Sequence, residues 1–224
     1  TAGKASARVK VEKGPATWTM QPCPRPLGNL RPFGEAPRPS TMSDKAEERM
    51  VWIDLEMTGL DLEKESIIEI ATLVTDGDLK VLAEGPNLAI TVDESLLSGM
   101  DEWNTTHHHA SGLVERIRTE GVPLEQAEEA TLAFLQEHVK PGVAPLCGNS
   151  VWNDKRFLEK EMPRIAAFLH YRMIDVSTVK ELARRWYPEE PMFPKRAAHL
   201  ALDDIRESVQ ELSHWRDRIF RERS

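Results

Sequence analysis

Residues 51–59 read Val-Trp-Ile-Asp-Leu-Glu-Met-Thr-Gly, an apolar segment that carries two acids. Its β-branched and aromatic residues predict a strand over residues 50–56, ended by Thr58-Gly59. Asp54 and Glu56 are two residues apart, so on a strand their carboxylates project from the same face. Carboxylates in an apolar setting are costly to desolvate, and divalent cations compensate them through oxygen ligands. The segment therefore predicts a metal site at the end of a buried strand; an edge strand with solvated acids is the alternative.

Two later segments add acids and a histidine. Asp154 follows the loop Gly148-Asn149-Ser150, whose polar side chains would cap a helix. An acid at this place also complements the helix dipole, which is the alternative to a metal-binding role. His199 lies five residues before Asp204, at the start of a predicted last helix, and a histidine there can accept a proton from water. Spacing alone leaves open whether Asp203 or Asp204 is the ligand. Two metals with a nearby histidine form a site that cleaves phosphodiesters.

Strand and helix patterns alternate along the rest of the chain. Further strands are predicted over residues 66–75, 80–90, 144–147 and 173–174, and helices over residues 124–139, 151–162, 176–186 and 200–220. Strands first, then alternating helix and strand, predict an α/β fold with a mixed central sheet flanked by helices.

The first 49 residues differ in composition from the remainder. They carry nine Lys/Arg against five Asp/Glu, and seven of the fifteen prolines. Closely spaced prolines remove backbone donors and disfavour helix, so we predict a disordered extension over residues 1–45 and a folded domain over residues 46–224. A basic, acid-poor stretch is also typical of a transit peptide, which would direct the protein to mitochondria.

Composition restricts the classes of function. The formal net charge of −8 argues against a protein that coats long nucleic acid, but not against a small, metal-neutralised site for short substrates. Cys23 and Cys147 follow no metal-ligand or redox spacing, which favours a reducing compartment such as the cytoplasm. No apolar run approaches the roughly 18 residues of a membrane span. The run His107-His108-His109 is not expected to bind a metal, because consecutive side chains on a helix do not converge on one ion.

The order Asp54-x-Glu56, then Asp154, then His199-x4-Asp204 resembles the DEDDh exonuclease superfamily, named for four acids and a histidine. Longer matches resemble the oligoribonuclease family: WIDLEMTGL (52–60), LAEGP (82–86), CGNSV (147–151), HYRMIDVSTVKEL (170–182), RRWYP (184–188) and ALDDI (201–205). The resemblance covers about residues 48–222. It implies an RNase H-like exonuclease fold, a homodimer, and 3′→5′ hydrolysis of short single-stranded RNA, especially dinucleotides, to 5′-mononucleotides.

The resemblance also implies the roles of individual residues. The four acids Asp54, Glu56, Asp154 and Asp204 would hold two Mg²⁺ or Mn²⁺ ions, and the family pattern selects Asp204 over Asp203. One ion would lower the pKa of the attacking water and the other would stabilise the leaving 3′-oxygen. His199 would act as the general base.

A pocket for a very short substrate is implied as well. Leu60 would wedge between the two bases and Trp103 would stack against one of them, although Trp103 read alone could be ordinary core. The remaining residues would close the pocket: Ser150, with Arg172, Ser177 and Thr178 of a second subunit, around the 5′-phosphate, and His108 with Tyr171 across the dimer interface.

A capped phosphate leaves no exit for a longer chain, which argues against a DNA-proofreading exonuclease. A catalytically silent nucleotide-binding module is the alternative from another class.

Overall fold

The computed structural model describes residues 48–194 and 201–220. The strands there are β1 (Met50–Met57), β2 (Ile67–Thr75), β3 (Val81–Ala89), β4 (Pro145–Gly148) and β5 (His170–Asp175). The helices are α1 (Glu94–Gly99), α2 (Glu102–Ala110), α3 (Leu113–Glu120), α4 (Leu124–His138), α5 (Trp152–Glu161), α6 (Pro163–Phe168), α7 (Val176–Trp186) and α8 (Ala201–Ile219). The extension predicted over residues 1–45 and the predicted base His199 both lie outside the described residues.

The described strands form one five-stranded sheet in the order β3-β2-β1-β4-β5. β2 runs antiparallel to both β1 and β3, whereas β1, β4 and β5 are parallel. The predicted α/β fold with a mixed sheet is therefore confirmed. The carboxyl ends of the three parallel strands lie at one edge of the sheet, so the loops that follow them meet there, where ligands bind in open α/β sheets.

The two faces of β1 pack against different helices. The odd-numbered residues of 51–55 belong to one buried cluster, together with side chains of α4 and α5. Trp52 lies on the other face, in a cluster with side chains of α8. Because side chains alternate along a strand, Asp54 and Glu56 share the face of Trp52 and project on the side of α8. The packing of β1 thus brings its two acids to the helix that carries Asp204.

Several elements differ from the sequence-based expectation. The helices α1, α2 and α3 were not predicted, because residues 94–120 are mostly polar and show no clear apolar period; α6 was not predicted either. Pro163 ends α5 as expected, but it also begins α6, since a proline at the first helical position gives up no hydrogen bond. β5 is longer than the predicted residues 173–174, as an exposed edge strand lacks the alternation that marks a half-buried one. In the part of the chain that the structure describes, no helix has the length and apolar character needed to cross a membrane.

Candidate active site

Three carboxylates meet where β1 passes the first turn of α8. Oxygen atoms of Asp54, Glu56 and Asp204 all lie within 4.8 Å of one another. Asp203, the other candidate from the sequence, forms an ion pair with Arg206 at 2.9 Å on the half-exposed side of α8. The structure therefore brings Asp204 and not Asp203 to the acid pair of β1, which agrees with the family pattern.

Asp154 reaches the same end of β1 from the first turn of α5. Its side chain is buried, and its Oδ1 oxygen accepts a hydrogen bond from the backbone N–H of Leu55 at 3.0 Å. The paired register of β1 with β4 ends at Trp52 and Cys147, so β4 leaves the N–H of Leu55 without a strand partner on that side. The carboxylate of Asp154 accepts this N–H in place of a strand carbonyl. An exposed acid that only complements the helix dipole would make no such bond.

Burial and mutual repulsion act together on these acids. Burial raises the pKa of Asp54 well above its usual range, and the charges of Asp154 and Glu56 raise it further. Burial, then the charges of Glu69 and Asp204, raises the pKa of Glu56 to about 8. Burial raises the pKa of Asp154 to about 7, although the hydrogen bond from Leu55 opposes this. These acids need a nearby cation to be fully ionised together. Their donor atoms are all oxygens, which suits a hard divalent ion such as Mg²⁺ or Mn²⁺.

An open cavity of about 390 Å³ adjoins the acids. Its lining consists of Glu56, Met57, Gly59, Leu60, Asp101, Trp103 and Asn104. Leu60 and Trp103 are 62% and 59% exposed, so Trp103 is not a core residue and both side chains offer apolar surface to a ligand. The ring of Trp103 stacks on the imidazole of His107, with 3.8 Å between the centroids. The sequence-based expectation that Leu60 and Trp103 share one pocket agrees with this arrangement.

His108 lies beneath this cavity rather than on its surface. It is 3% exposed, its Nε2 is 3.0 Å from the carbonyl oxygen of Met57, and its Nδ1 is 4.0 Å from Oε2 of Glu56. Burial lowers the pKa of His108. The ring therefore supports the end of β1 from within one chain and has little surface left for a second subunit. The neighbouring imidazole of His107 points elsewhere, toward Trp103, so the run of histidines does not converge on one ion.

A second open cavity, of about 420 Å³, follows the ends of β4 and β5. Its lining consists of Ser150, Trp152, Asp175, Ser177, Thr178, Glu181, Leu182 and Arg185. The hydroxyl oxygens of Ser150 and Ser177 are 3.2 Å apart within one chain. Within one chain, Ser177 and Thr178 thus already share a cavity with Ser150, whereas the expectation from the family placed them in a second subunit. The loops after two adjacent parallel strands meet at one edge of the sheet, so all three hydroxyl residues belong to the same protomer.

Ser150 has a left-handed backbone, with φ of 52°, which is uncommon for a residue other than glycine. Its N–H donates to Oδ1 of Asp175 at 3.0 Å and to Oγ of Ser177 at 3.1 Å. Oγ of Ser177 in turn donates to Oδ1 of Asn149 at 3.0 Å. Neither Asn149 nor Ser150 caps α5, as the sequence suggested, because α5 begins after Val151 with no side-chain cap. Both residues instead shape the hydroxyl-lined cavity.

Tyr171 and Arg172 lie on the exposed edge strand β5, outside the lining of both cavities. Tyr171 is 70% exposed, and the guanidinium of Arg172 lies 5.2 Å from the centre of its ring. Within one chain, then, the structure does not bring these two residues to the predicted 5′-phosphate position.

Sequence reasoning missed the polar contacts of one residue on each side of the site. Asn149 Nδ2 donates to Ser208 Oγ at 2.8 Å and to Glu211 Oε2 at 3.1 Å, and both acceptors belong to α8. On the other side, Glu69 is the sole charged residue of β2, and it is 1% exposed. An acid in the middle of an otherwise uncharged, strongly apolar strand was the available signal for Glu69.

Comparison with known proteins agrees with this geometry. Residues 51–212 match the RNase T family, which is described as an exonuclease. An oligoribonuclease of Alcanivorax borkumensis is 57% identical over 177 residues, covering 79% of this chain and 97% of the relative. The human protein named "Oligoribonuclease, mitochondrial" is 56% identical over 178 residues, covering 79% of this chain and 75% of the relative.

Among solved structures, a zinc-bound complex of E. coli exonuclease I with single-stranded DNA superimposes with a TM-score of 0.63 at 13% identity, over 78% of this chain. The present chain spans about two-fifths of that protein, 41% of its length. At this identity the likeness shows a shared exonuclease fold.

Proposed function

Because this chain belongs to the oligoribonuclease family of exonucleases, we propose that it hydrolyses short oligoribonucleotides, especially dinucleotides, from the 3′ end to 5′-mononucleotides. One observation carries the proposal. A half-buried carboxylate cluster adjoins one cavity with exposed apolar side chains and, on the neighbouring strands of the sheet, a second cavity lined by hydroxyl groups. The first suits bases and the second suits a phosphate, as a dinucleotide requires.

Asp54, Glu56, Asp154 and Asp204 would hold two divalent cations, Mg²⁺ or Mn²⁺, since their raised pKa values and oxygen donors fit such ions. When bound, such cations neutralise charge that develops on phosphate oxygens and favour ionisation of water. Asp154 has a further task that needs no cation. By accepting the N–H of Leu55, it fixes the strand segment between Asp54 and Glu56.

The chain's own groups would bind the substrate and move the proton. In this proposal Leu60 and Trp103 contact the bases. The aromatic ring of Trp103 can stack on any base and gives no sequence preference. The hydroxyls of Ser150, Ser177 and Thr178 receive the 5′-phosphate. His199, which precedes Asp204 by five residues, accepts the proton of the water that attacks phosphorus.

A homodimer is part of the same proposal. β5 is an edge strand of the described sheet, and apolar side chains in and after it are exposed: Tyr171, Met173, Leu182, Trp186, Tyr187 and Met192. An exposed edge strand can pair with another chain, and large exposed apolar patches mark interaction sites. A second copy covering this surface would bring Tyr171 and Arg172 toward the hydroxyl-lined cavity of its partner, and the guanidinium would supply the forked donors that a phosphate prefers.

The proposed place of action is the cytoplasm. The human relative is named mitochondrial, and the N-terminal 49 residues here are basic and rich in proline, so mitochondria are the alternative. Fluorescence imaging of the full chain with a C-terminal tag distinguishes the two compartments.

The test is the rate of hydrolysis of 5′-phosphorylated RNAs two to seven nucleotides long, in Mg²⁺ and in Mn²⁺. We expect the dinucleotide to be hydrolysed fastest and the longer RNAs to lag. A rate that rises with length would contradict a closed 5′ pocket and indicate a general single-strand exonuclease. Tight binding of the dinucleotide without turnover would indicate a silent binding module.

A further inference from the structure

A fifth carboxylate lies beside the four that the family pattern contains. Glu69 on β2 is paired directly with Glu56 on β1 in the antiparallel register. Directly paired residues of antiparallel strands present their side chains on the same face, with Cβ atoms about 5 Å apart. Glu69 is thus a close neighbour of a proposed metal ligand, although no oxygen of Glu69 belongs to the 4.8 Å cluster among the described residues.

Arg116 on α3 neutralises this fifth carboxylate. Its Nη1 lies 2.6 Å from Oε1 of Glu69, and the side chains are 30% and 2% exposed respectively. A buried carboxylate without a counter-charge is strongly destabilising, so the ion pair explains how Glu69 is tolerated inside the sheet. It does not explain why an acid is present at all, since an apolar residue would fill the same place in β2 without a partner.

The charge of Glu69 acts on the acid cluster. Its direct pairing with Glu56 places the Glu69 side chain on the same face of the sheet as Asp54 and Glu56, because side chains alternate along β1. The Glu69–Arg116 pair therefore lies close enough to Glu56 for either of its charges, left alone, to alter the field at the cluster.

We propose that Glu69 and Arg116 form a positioning pair that sets the charge experienced by the divalent cations of the site. This inference rests on the proposed function, in which four carboxylate charges balance two divalent ions. With the pair intact, the charge of Glu69 is offset by Arg116 and the balance of the four ligands is kept. Each member of the pair affects cation affinity because its charge cancels the charge of the other.

The proposal predicts effects of opposite sign for the two single variants. Glu69→Gln leaves the guanidinium uncompensated near Glu56, which repels cations and weakens Mn²⁺ binding. Arg116→Gln leaves the Glu69 carboxylate uncompensated, which attracts cations and tightens binding. Each shift should be on the order of tenfold in Kd for one unit charge acting at such a distance. The double variant should return to within about threefold of the parent protein, as expected for charges that cancel.

The experiment is calorimetric titration of the full chain with Mn²⁺ alone, at pH 8, without substrate. Arg118→Gln is the matched control, because Arg118 lies on the same helix but pairs with Glu94 at the surface, and its removal should leave Kd unchanged. Arg116→Lys keeps the charge and should also bind Mn²⁺ like the parent. Circular dichroism of each variant checks the fold. If Arg116→Gln does not fold, the comparison of Glu69→Gln with the double variant decides the question.

Opposite shifts of the two single variants, cancelled in the double variant, would support the positioning pair. Shifts in the same direction, shifts below twofold, or a double variant no better than Glu69→Gln would overturn it, because a purely structural ion pair predicts one of those patterns. If the parent protein itself does not bind Mn²⁺, the cation site of the proposed function fails, and this inference fails with it. Binding by the parent without opposite shifts refutes the positioning pair alone.

Discussion

The Oδ1 oxygen of Asp154 accepts the backbone N–H of Leu55 at 3.0 Å, and this bond links the first turn of α5 to the strand residue between Asp54 and Glu56. The bond gives Asp154 a structural task in addition to the cation-binding role proposed above. Charge and hydrogen bonding at this residue can therefore be separated by substitution.

Asp154→Asn should keep the fold and lose the activity. The amide oxygen can still accept from Leu55, while the negative charge is removed. Asp154→Ala loses the hydrogen bond too and leaves a buried N–H without a partner, which costs about 1–3 kcal/mol. Thermal unfolding in EDTA checks this: we expect Asp154→Asn to match or exceed the parent and Asp154→Ala to unfold at a lower temperature. Equal destabilisation by both substitutions would show that the bond to Leu55 contributes nothing.

Without cations, stability should fall as the pH rises from about 5 to 8. The pKa values of Glu56 and Asp154 are raised to about 8 and about 7 in the folded chain, so the folded state binds more protons than the unfolded state across this range. Deprotonation therefore favours unfolding, and bound Mn²⁺ should oppose it. At a hundredfold excess over Kd a cation stabilises by about 2.7 kcal/mol.

The melting temperature with Mn²⁺ and with EDTA, at pH 5.5 and at pH 8, measures this linkage. The increase that Mn²⁺ produces should be larger at pH 8, by several degrees. Glu56→Gln should reduce both the dependence on pH in EDTA and the gain from Mn²⁺. The same gain at both pH values would contradict the linkage between these carboxylates and the cation.

Leu60 should contribute to substrate binding more than to the chemical step. Its exposed side chain lines the cavity next to Glu56, so truncation to alanine removes contact with the bases. We expect Leu60→Ala to raise KM for a diribonucleotide by about tenfold, since burial of a leucine side chain is worth about 1.5–3 kcal/mol. Leu82→Ala is the matched control, because Leu82 is also exposed but lies on β3 outside this cavity. Similar kinetics for the two variants would exclude Leu60 from the pocket.

Asn149 should govern recognition of the 5′-phosphate. It accepts from Ser177 Oγ at 3.0 Å, and Ser177 holds the left-handed backbone of Ser150. In Asn149→Ala, the ratio of kcat/KM for 5′-phosphorylated over 5′-hydroxyl dinucleotides should fall about tenfold, because one charge-assisted hydrogen bond is worth roughly 1.5–3 kcal/mol. Asn153→Ala, four residues along the chain, serves as the control. If Asn149→Ala leaves the ratio unchanged, the hydrogen bonds among Asn149, Ser177 and Ser150 play no part in binding the 5′-phosphate.

The sequence supports prediction of the acid pair because the two-residue period of a strand is a local property. It is also sufficient for the sheet class and for most of the longer elements. The choice between Asp203 and Asp204 was open from spacing alone, because it depends on which side of α8 packs on β1. The contact of Ser177 with Ser150 within one chain was not foreseen for the same kind of reason, since it follows from the order of β4 and β5 in the sheet.

Glu69 and Arg116 show what a single sequence does not reveal. Their contact joins residues 47 positions apart, and it depends on the register of β1 against β2 and on the placement of α3. The helix α3 itself was not predicted, so Arg116 had no assigned location. A charged residue in an otherwise uncharged strand indicates that a partner exists, but only the tertiary structure identifies it.

If the carboxylate cluster of β1, α5 and α8 performs the hydrolysis, the two adjacent acids at the start of α8 should differ sharply in their effect on activity. The measurement is the rate at which a 5′-phosphorylated diribonucleotide is converted to mononucleotides in Mn²⁺ by the parent, Asp204→Asn and Asp203→Asn. We predict a loss of at least about a hundredfold for Asp204→Asn, because a cation ligand is removed. Asp203→Asn, which removes only a surface ion pair, should stay within about threefold of the parent. Equal losses for both variants, or full activity in Asp204→Asn, would contradict the account.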